Sequence, residues 1–139
     1  MTISQIQDEI IDEFSMFDDW MQRYEYIIEL GKTLPVIAEK YKTDDNLIKG
    51  CQSKVWLHAQ EKDSLICFTA DSDAILTKGI IAILIQVFNN QKPKDILEAN
   101  TDFIDKIGLK EHLSPTRANG LVSMIKQIKM YALAFESKN

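Results

Sequence analysis

The sequence contains few residues that cross-link or interrupt a chain: two cysteines, three prolines and five glycines among 139 residues. A chain of this mass buries roughly two-thirds of its unfolded surface, so its core needs no disulfide staples. The low proline and glycine content excludes a collagen-like or linker-dominated chain, and the isolated glycines form no phosphate loop or dinucleotide fingerprint. The longest apolar run, residues 79–85, is far shorter than the roughly 20 residues that span a bilayer.

Basic residues are also in short supply, with 16 lysines and arginines against 21 acidic residues and a net charge of −5. Nucleic-acid binding needs a clustered basic excess, so this composition disfavours a nucleic-acid partner. The first 19 residues carry six acids and no base: Asp8, Glu9, Asp12, Glu13, Asp18 and Asp19. Acids this early are not typical of a signal or transit peptide, so we expect a soluble, cytoplasmic protein without a membrane partner.

Alternating apolar residues predict a β-hairpin in the middle of the chain. Residues 54–60 and 65–70 each alternate, and residues 61–64 supply the turn between them. Apolar residues at helical spacing precede and follow this hairpin. We therefore expect an α+β fold, a small antiparallel sheet covered by several helices, in one domain spanning residues 1–139.

Capping residues predict where the helices begin. The second helix ends at Gly31, and a strongly apolar central helix runs from Asp73 to about Phe88, where Gly79 indicates close backbone packing. Pro115 opens a long last helix, and residues 137–139 are expected to fray. The residues that begin the helices are Thr2 or Ser4, Asp19, Ser72, Pro93, Thr101 and Ser114.

The two cysteines are too far apart in the predicted hairpin for a disulfide. With the turn centred near Lys62, Cys67 lies opposite Leu57, and Cys51 lies six residues further along. At about 3.3 Å per residue this separation is about 20 Å, whereas a disulfide needs Cα atoms within about 7 Å. We therefore expect two free thiols.

These thiols differ in their surroundings. Cys67 lies in an apolar strand, where a free cysteine is an ordinary core residue. Cys51 lies in a polar stretch between Gly50 and Gln52, followed by Ser53, where a partner can reach it. This position favours a reactive thiol, although an ordinary, partly exposed cysteine is the alternative.

The predicted hairpin also places Cys51 opposite Asp73, at the start of the central helix. The positive end of the helix dipole stabilises a thiolate, whereas the carboxylates of Asp71 and Asp73 oppose it. The sequence leaves open which effect is larger. Two cysteines with His58 and His112, without paired spacing, do not predict a zinc or iron–sulfur site, and the acids at residues 71 and 73 are more typical of a helix start than of a metal site.

Four segments, in order, resemble the SufE family of sulfur-acceptor proteins. The most specific is the cysteine loop, NLIKGCQSKVW, at residues 46–56. The others are RYEYII at 23–28 with LGK at 30–32 and LP at 34–35, then ADSDA at 70–74 with KG at 78–79, and HLSPTR at 112–117 with NGL at 119–121. Together they reach from about residue 20 to residue 130, most of the chain.

The resemblance implies an accessory protein of iron–sulfur cluster assembly, with a fold similar to that of the scaffold protein IscU. Cys51 would take sulfur as a persulfide from a SufS-type cysteine desulfurase, stimulate that enzyme, and pass the sulfur to a SufBCD-type scaffold. The protein itself would need no cofactor, because the pyridoxal phosphate belongs to the desulfurase. Gly50, Gln52 and Ser53 in the loop, and Asp71, Asp73 and Arg117 outside it, are candidates for orienting the loop or meeting the partner.

Other interpretations remain at this point. An acceptor that serves a second, CsdE-like system has the same cysteine loop and routes sulfur elsewhere. A single-thiol redox sensor would use Cys51 as the oxidised residue, usually with a resolving cysteine nearby. A cluster scaffold would need more ligands than the chain offers. A homodimer is also left open. In the carrier interpretation, we expect the Cys51 loop to move from a tucked to an extended position on docking.

Overall fold

The computed structural model describes residues 1–138, which form an α+β fold with a two-stranded antiparallel sheet and six α-helices. In chain order the elements are α1 (Ile3–Ser15), α2 (Trp20–Gly31), β1 (Val55–Lys62), β2 (Leu65–Ser72), α3 (Ile75–Phe88), α4 (Pro93–Glu98), α5 (Asp102–Lys106) and α6 (Pro115–Lys138). Short 3-10 turns occur at Glu39–Tyr41, Asp44–Asn46 and Lys110–His112. The predicted fold class is confirmed, and none of the helices within residues 1–138 is long and apolar enough to cross a membrane.

Side-chain caps begin the first two helices at the predicted residues. The Thr2 hydroxyl accepts a hydrogen bond from the Gln5 backbone N–H at 3.1 Å, and the Gln5 side chain accepts one from the Thr2 N–H. The Asp19 carboxylate accepts one from the Gln22 N–H at 2.8 Å. Each cap satisfies backbone donors that the first turn of a helix leaves unpaired.

The hairpin has a tighter turn than the sequence analysis expects. Lys62 pairs with Leu65, and Asp63 and Ser64 make a two-residue turn with φ values of 55° and 67°. Positive φ at both turn residues matches the twist of the flanking strands. The register therefore places Cys67 opposite Gln60, so the predicted pairing with Leu57 is wrong by three residues.

The sheet covers the core with one face only. The inward residues are Val55, Leu57 and Ala59 from β1 and Ile66, Phe68 and Ala70 from β2. Cys67 points to the opposite face, is half-buried, and donates its S–H to the Asn90 side-chain oxygen at 3.2 Å. The interpretation of Cys67 as a core residue is therefore wrong, because the alternation puts its even-numbered neighbours inside.

Helix α3 is the centre of the fold, as its apolar sequence predicts, and ten of its residues are buried. Its start differs from the prediction, because the N-cap is Ala74, which has no side chain that can cap. Ser72 instead ends β2; its hydroxyl donates to the Lys54 carbonyl at 2.8 Å and accepts from the Ala74 N–H at 3.2 Å. The Ser72 hydroxyl thus joins the strand ends to the helix entry.

Close packing of α2 on α3 depends on Gly79. A Cβ at this position would lie 2.1 Å from the Ile27 carbonyl oxygen of α2. Real Cβ atoms do not approach a backbone oxygen this closely, so the two helices meet backbone to backbone only because residue 79 is glycine. This contact confirms the packing role predicted for Gly79.

Helix α6 lies across α4 and one end of α3. Ser114 caps it, accepting a hydrogen bond from the Arg117 N–H at 3.3 Å. The helix continues to Lys138, and the Ser137 hydroxyl donates to the Leu133 carbonyl at 2.9 Å, so the expected fraying from residue 137 is wrong. Asn139 lies outside the described residues. Thr101 precedes α5 as predicted but makes no side-chain capping bond.

Candidate functional site

Cys51 lies in a closed loop between the Asp44–Asn46 turn and β1. The Ile48 N–H donates to the Val55 carbonyl at 2.8 Å, and Leu47 pairs with Trp56, so the chain doubles back over residues 48–55. Cys51 lies near the middle of this loop, which we call the cysteine loop. A strand extended straight from β1 is therefore the wrong picture of residues 48–54.

Asp73 holds the base of the cysteine loop rather than facing its cysteine. The Asp73 carboxylate accepts a hydrogen bond from the Lys54 N–H at 3.0 Å, and the Asp73 N–H donates to the Lys54 carbonyl at 3.2 Å. The predicted position of Cys51 opposite Asp73 is wrong by three residues, the same shift as in the hairpin. Asp73 is thus a loop-positioning residue.

The cysteine loop rests against α6 at two glycine contacts. The Cys51 S–H donates to the Gly120 carbonyl at 3.6 Å, and a Cβ on Gly120 would lie 3.3 Å from the Cys51 Sγ. Gly50 has a φ of +94°, which disfavours any side chain, and a Cβ there would lie 2.5 Å from the Ser123 Oγ. Small residues on both sides therefore allow the thiol to tuck against the helix.

Burial controls the acidity of the tucked thiol. Cys51 is half-buried, and this burial raises the pKa of its thiol above the ordinary value. Desolvation disfavours the charged form of a thiol, so at neutral pH the tucked Cys51 is protonated and donates to Gly120. Neither the helix dipole nor the nearby carboxylates is the main cause of the raised pKa of Cys51.

A cavity of about 280 Å³ opens beside Cys51. The cysteine loop contributes Gln52 and Ser53 to its wall. Helix α3 contributes Thr77 and Ile80, and α6 contributes Thr116, Arg117, Gly120 and Met124. The cavity therefore lies between the loop and the N-terminal halves of two helices.

Several of these lining residues were missed as site residues in the sequence analysis. Thr116 and Gly120 fall within the family-like segments, so that signal could have found them. Thr77, Ile80 and Met124 carry no such signal, because each is a buried residue in an amphipathic or apolar helix and is indistinguishable by pattern from the core.

Asp71 has a structural role away from the cavity wall. Its carboxylate pairs with Lys42 at 3.0 Å and Lys78 at 3.4 Å, and it accepts a hydrogen bond from the Ser72 N–H at 2.8 Å. Burial acts to raise the pKa of Asp71, but the Lys42 hydrogen bond, the Ser72 N–H and the two lysine charges together hold it below the ordinary value. Asp71 thus ties β2 to α3 and to the segment before the loop.

Arg117 stands at the exposed edge of the cavity, on the first turn of α6. Its guanidinium makes no hydrogen bond or ion pair with any other residue in the range 1–138. A guanidinium stays protonated and binds anionic groups in a fixed geometry. Arg117 is therefore available to a partner at the entrance to the cavity.

The histidines and cysteines do not converge. His58 stacks on Tyr41 with ring centroids 3.8 Å apart, and His112 stacks on Trp20 at 3.7 Å. Within the described part of the chain, no three His, Cys, Asp or Glu side chains are placed to hold a metal ion, and both cysteines are unpaired. The chemistry that the site offers is that of one thiol beside a cavity.

Comparisons with known proteins agree on one family. The family model "SufE: Fe-S metabolism associated domain" matches residues 8–132, which associates the chain with Fe–S metabolism. A SufE-like protein of Rhizobium meliloti (strain 1021) is 45% identical over 130 residues, covering 90% of this chain and 93% of its own. One of Synechocystis sp. is 38% identical over 127 residues, covering 91% and 80%. A hypothetical protein from Thermus thermophilus, 16% identical, has the same fold, with a TM-score of 0.79 over 95% of this chain and 96% of its own.

Proposed function

This chain belongs to the SufE family, and on that premise we propose that it is a persulfide carrier for iron–sulfur cluster assembly. In this proposal Cys51 takes sulfur from a cysteine desulfurase, stimulates that enzyme, and delivers the sulfur to a scaffold. The observation that carries it is the placement of Cys51 in a closed loop whose thiol adjoins a cavity.

The transfer needs one thiol on each protein. The Cys51 thiolate attacks the outer sulfur of the desulfurase persulfide, a new S–S bond forms at Cys51, and the S–S bond of the donor breaks. The desulfurase cysteine leaves as a thiolate, and the transferred sulfur keeps its own proton. One S–S bond replaces another, so no oxidant or reductant is consumed. This step has the chemistry of thiol–disulfide exchange, whose rate depends on thiolate fraction, nucleophilicity and access.

The tucked thiol is a poor nucleophile, which supports a loop that moves on docking. Its raised pKa leaves little thiolate at neutral pH, and α6 covers one side of the sulfur. The contacts that hold the Cys51 thiol against α6 are weak, because they consist of one hydrogen bond from the S–H group and van der Waals contacts. A partner that draws the loop out would both expose the sulfur and lower its pKa.

The cavity supports storage of the transferred sulfur once the loop returns. Its volume of about 280 Å³ greatly exceeds that of one sulfur atom, which is only modestly larger than a water molecule at about 30 Å³ of liquid volume. The walls of the cavity would shield the persulfide from attack by small thiols on the sides that α3, α6 and the loop cover. The unpaired guanidinium of Arg117 at the entrance is suited to an anionic group of the desulfurase or of the SufBCD-type scaffold.

Two serine variants test the assignment. Cys51→Ser should abolish stimulation of a cysteine desulfurase. It should not unfold the protein, because the smaller oxygen atom of serine replaces the half-buried sulfur. Cys67→Ser should leave stimulation intact at a modest cost in stability, since Cys67 lies on the outer face of β2. The assay is alanine release from cysteine, and thermal unfolding monitors the fold. Loss of stimulation in a folded Cys67→Ser protein would contradict the proposal.

The desulfurase that responds also decides the route of the sulfur. A carrier for the SufS-type enzyme and a carrier for a second desulfurase share the same loop, so each enzyme should be assayed separately. A single-thiol sensor would show oxidation of Cys51 by peroxide without any response from either desulfurase.

A further inference from the structure

Thr77 is a buried polar residue whose hydroxyl is unpaired. It lies in the first turn of α3, only 6% exposed, in a helix that is otherwise nearly all apolar. Its hydroxyl makes no hydrogen bond with any residue in the described range 1–138. Every side-chain nitrogen or oxygen there that is cut off from solvent does have a partner. The Thr77 hydroxyl must therefore face open space, and the space that Thr77 lines is the cavity beside Cys51.

An unpaired hydroxyl at this position is unusual for a helix. A threonine inside a helix commonly donates its hydroxyl to the carbonyl four residues earlier. The Thr77 hydroxyl opens instead onto the cavity, whereas an apolar residue of the same shape, valine, would fit among the surrounding apolar side chains without presenting a donor there. The hydroxyl is thus suited to a group that enters the cavity.

The surroundings favour a negatively charged group. The first turn of α3 carries the positive end of a 14-residue helix whose N-cap supplies no side-chain acceptor. Arg117 adds a second positive group at the outer edge. Since Cys51 lines the same cavity, the nearest candidate for such a negatively charged group is one attached to Cys51 itself.

We propose that the Thr77 hydroxyl donates a hydrogen bond to the outer sulfur of a persulfide on Cys51 and so holds the carried sulfur in the cavity. This inference rests on the proposed carrier function. The outer sulfur of a persulfide bears the negative charge when ionised, and hydrogen bonds to charged acceptors are the stronger ones. Thr77 is thereby a binding residue for the transferred sulfur. It plays no part in the unloaded protein, where that sulfur atom is not yet attached to Cys51.

The consequence is a slower loss of sulfur from the tucked state. A reductant in solution reaches the persulfide more readily when the cysteine loop leaves α6, and the Thr77 hydrogen bond opposes that movement. Removing it should speed the loss of sulfur about 10-fold or more, the range expected for a hydrogen bond to a charged group. Reaction of the unloaded thiol should not change.

The test compares Thr77→Val, which keeps the shape, with Thr77→Ser, which keeps the hydroxyl. Both are made in a Cys67→Ser background, so that Cys51 is the single thiol, and Thr69→Val in β2 serves as the control for a threonine away from the cavity. Inorganic polysulfide loads Cys51, and the near-ultraviolet absorbance of the persulfide is followed as dithiothreitol removes the sulfur. Alkylation of the unloaded proteins by iodoacetamide is measured in parallel.

Faster loss in Thr77→Val, with unchanged loss in Thr77→Ser and Thr69→Val and unchanged alkylation of the unloaded proteins, is the expected result. Equal loss in Thr77→Val and the parent overturns the inference, and so does an equal acceleration in Thr77→Ser. A matching acceleration of alkylation in unloaded Thr77→Val would place the effect in loop packing and also overturn it. Polysulfide is added at alkaline pH, where Cys51 ionises, and failure to load the parent there would overturn the inference too, because the cavity would not admit the sulfur. Loading from polysulfide but not from a desulfurase would contradict the carrier function instead.

Discussion

Replacing Gly120 by alanine should loosen the cysteine loop without weakening the fold. The new Cβ would lie 3.3 Å from the Cys51 Sγ and 3.7 Å from its Cα, close enough that the loop must shift by a few tenths of an ångström. Alanine is favoured over glycine inside a helix by about 1 kcal/mol, which offsets the steric cost in global stability. The steric cost destabilises only the tucked position of the loop, in which Cys51 lies against α6. A penalty of about 1 kcal/mol there corresponds to about a 5-fold shift toward the extended position.

The assay is the rate of Cys51 alkylation at fixed pH, together with the free energy of unfolding in urea. We expect Gly120→Ala to raise the alkylation rate about 5-fold while the unfolding free energy stays within about 1 kcal/mol of wild type. Ser137→Ala is the matched control, because the Ser137 hydroxyl donates to the Leu133 carbonyl within α6, far along the helix from Gly120 and the loop. An unchanged or slower alkylation of Gly120→Ala, with a normal fold, would refute the view that this contact holds the thiol in place.

Two further substitutions test the framework around the site. Gly79→Ala should lower the free energy of unfolding by about 2 kcal/mol or more, because overpacking at the Ile27 carbonyl outweighs the gain in helix propensity; a stability equal to wild type in urea would count against this packing. The pKa of Asp71 lies below its ordinary value of 3.8, so the stability it contributes is present at neutral pH and is lost as the pH falls through that lowered pKa. Asp71→Asn should therefore be less stable than wild type at pH 7 and approach it in acid, and a constant difference across the urea titrations would contradict the ion-pair assignment.

Local signals in the sequence were sufficient for most of the helices. Asp19 and Ser114 cap where their side-chain chemistry indicates, because an N-cap depends on neighbours within one turn. The prediction that Ser72 caps α3 was wrong, because of a contact distant in sequence. Its hydroxyl is drawn to the Lys54 carbonyl across the sheet, so the helix begins later, at Ile75.

The hairpin shows how a small local error spreads. The turn was expected to be centred near Lys62, and its actual centre between Asp63 and Ser64 moves every cross-strand pair by three positions. Cys67 thereby loses Leu57 as its partner, and Lys54 rather than Cys51 meets Asp73. Because three is an odd number, the shift also exchanges the two faces of β2 relative to β1, which is why Cys67 lies on the outer face and its even-numbered neighbours lie inside.

The site could be predicted only in part. The motif around Cys51 predicts that its thiol is the reactive one, but the contact of Cys51 with Gly120 joins residues 69 positions apart, and no local pattern reports such a pairing. Burial as the cause of the raised thiol pKa follows from that same contact. That residues 1–139 form one domain stays a prediction, as do the partners and the cytoplasmic location.

The most direct test of the central claim is intact-protein mass spectrometry after mixing the protein with a cysteine desulfurase and cysteine, followed by peptide mapping. We expect one or more added sulfur atoms on the peptide that contains Cys51, removable by reductant, and none on the peptide that contains Cys67. No added sulfur on Cys51, with a desulfurase that is active and comes from the same source, would contradict the carrier function.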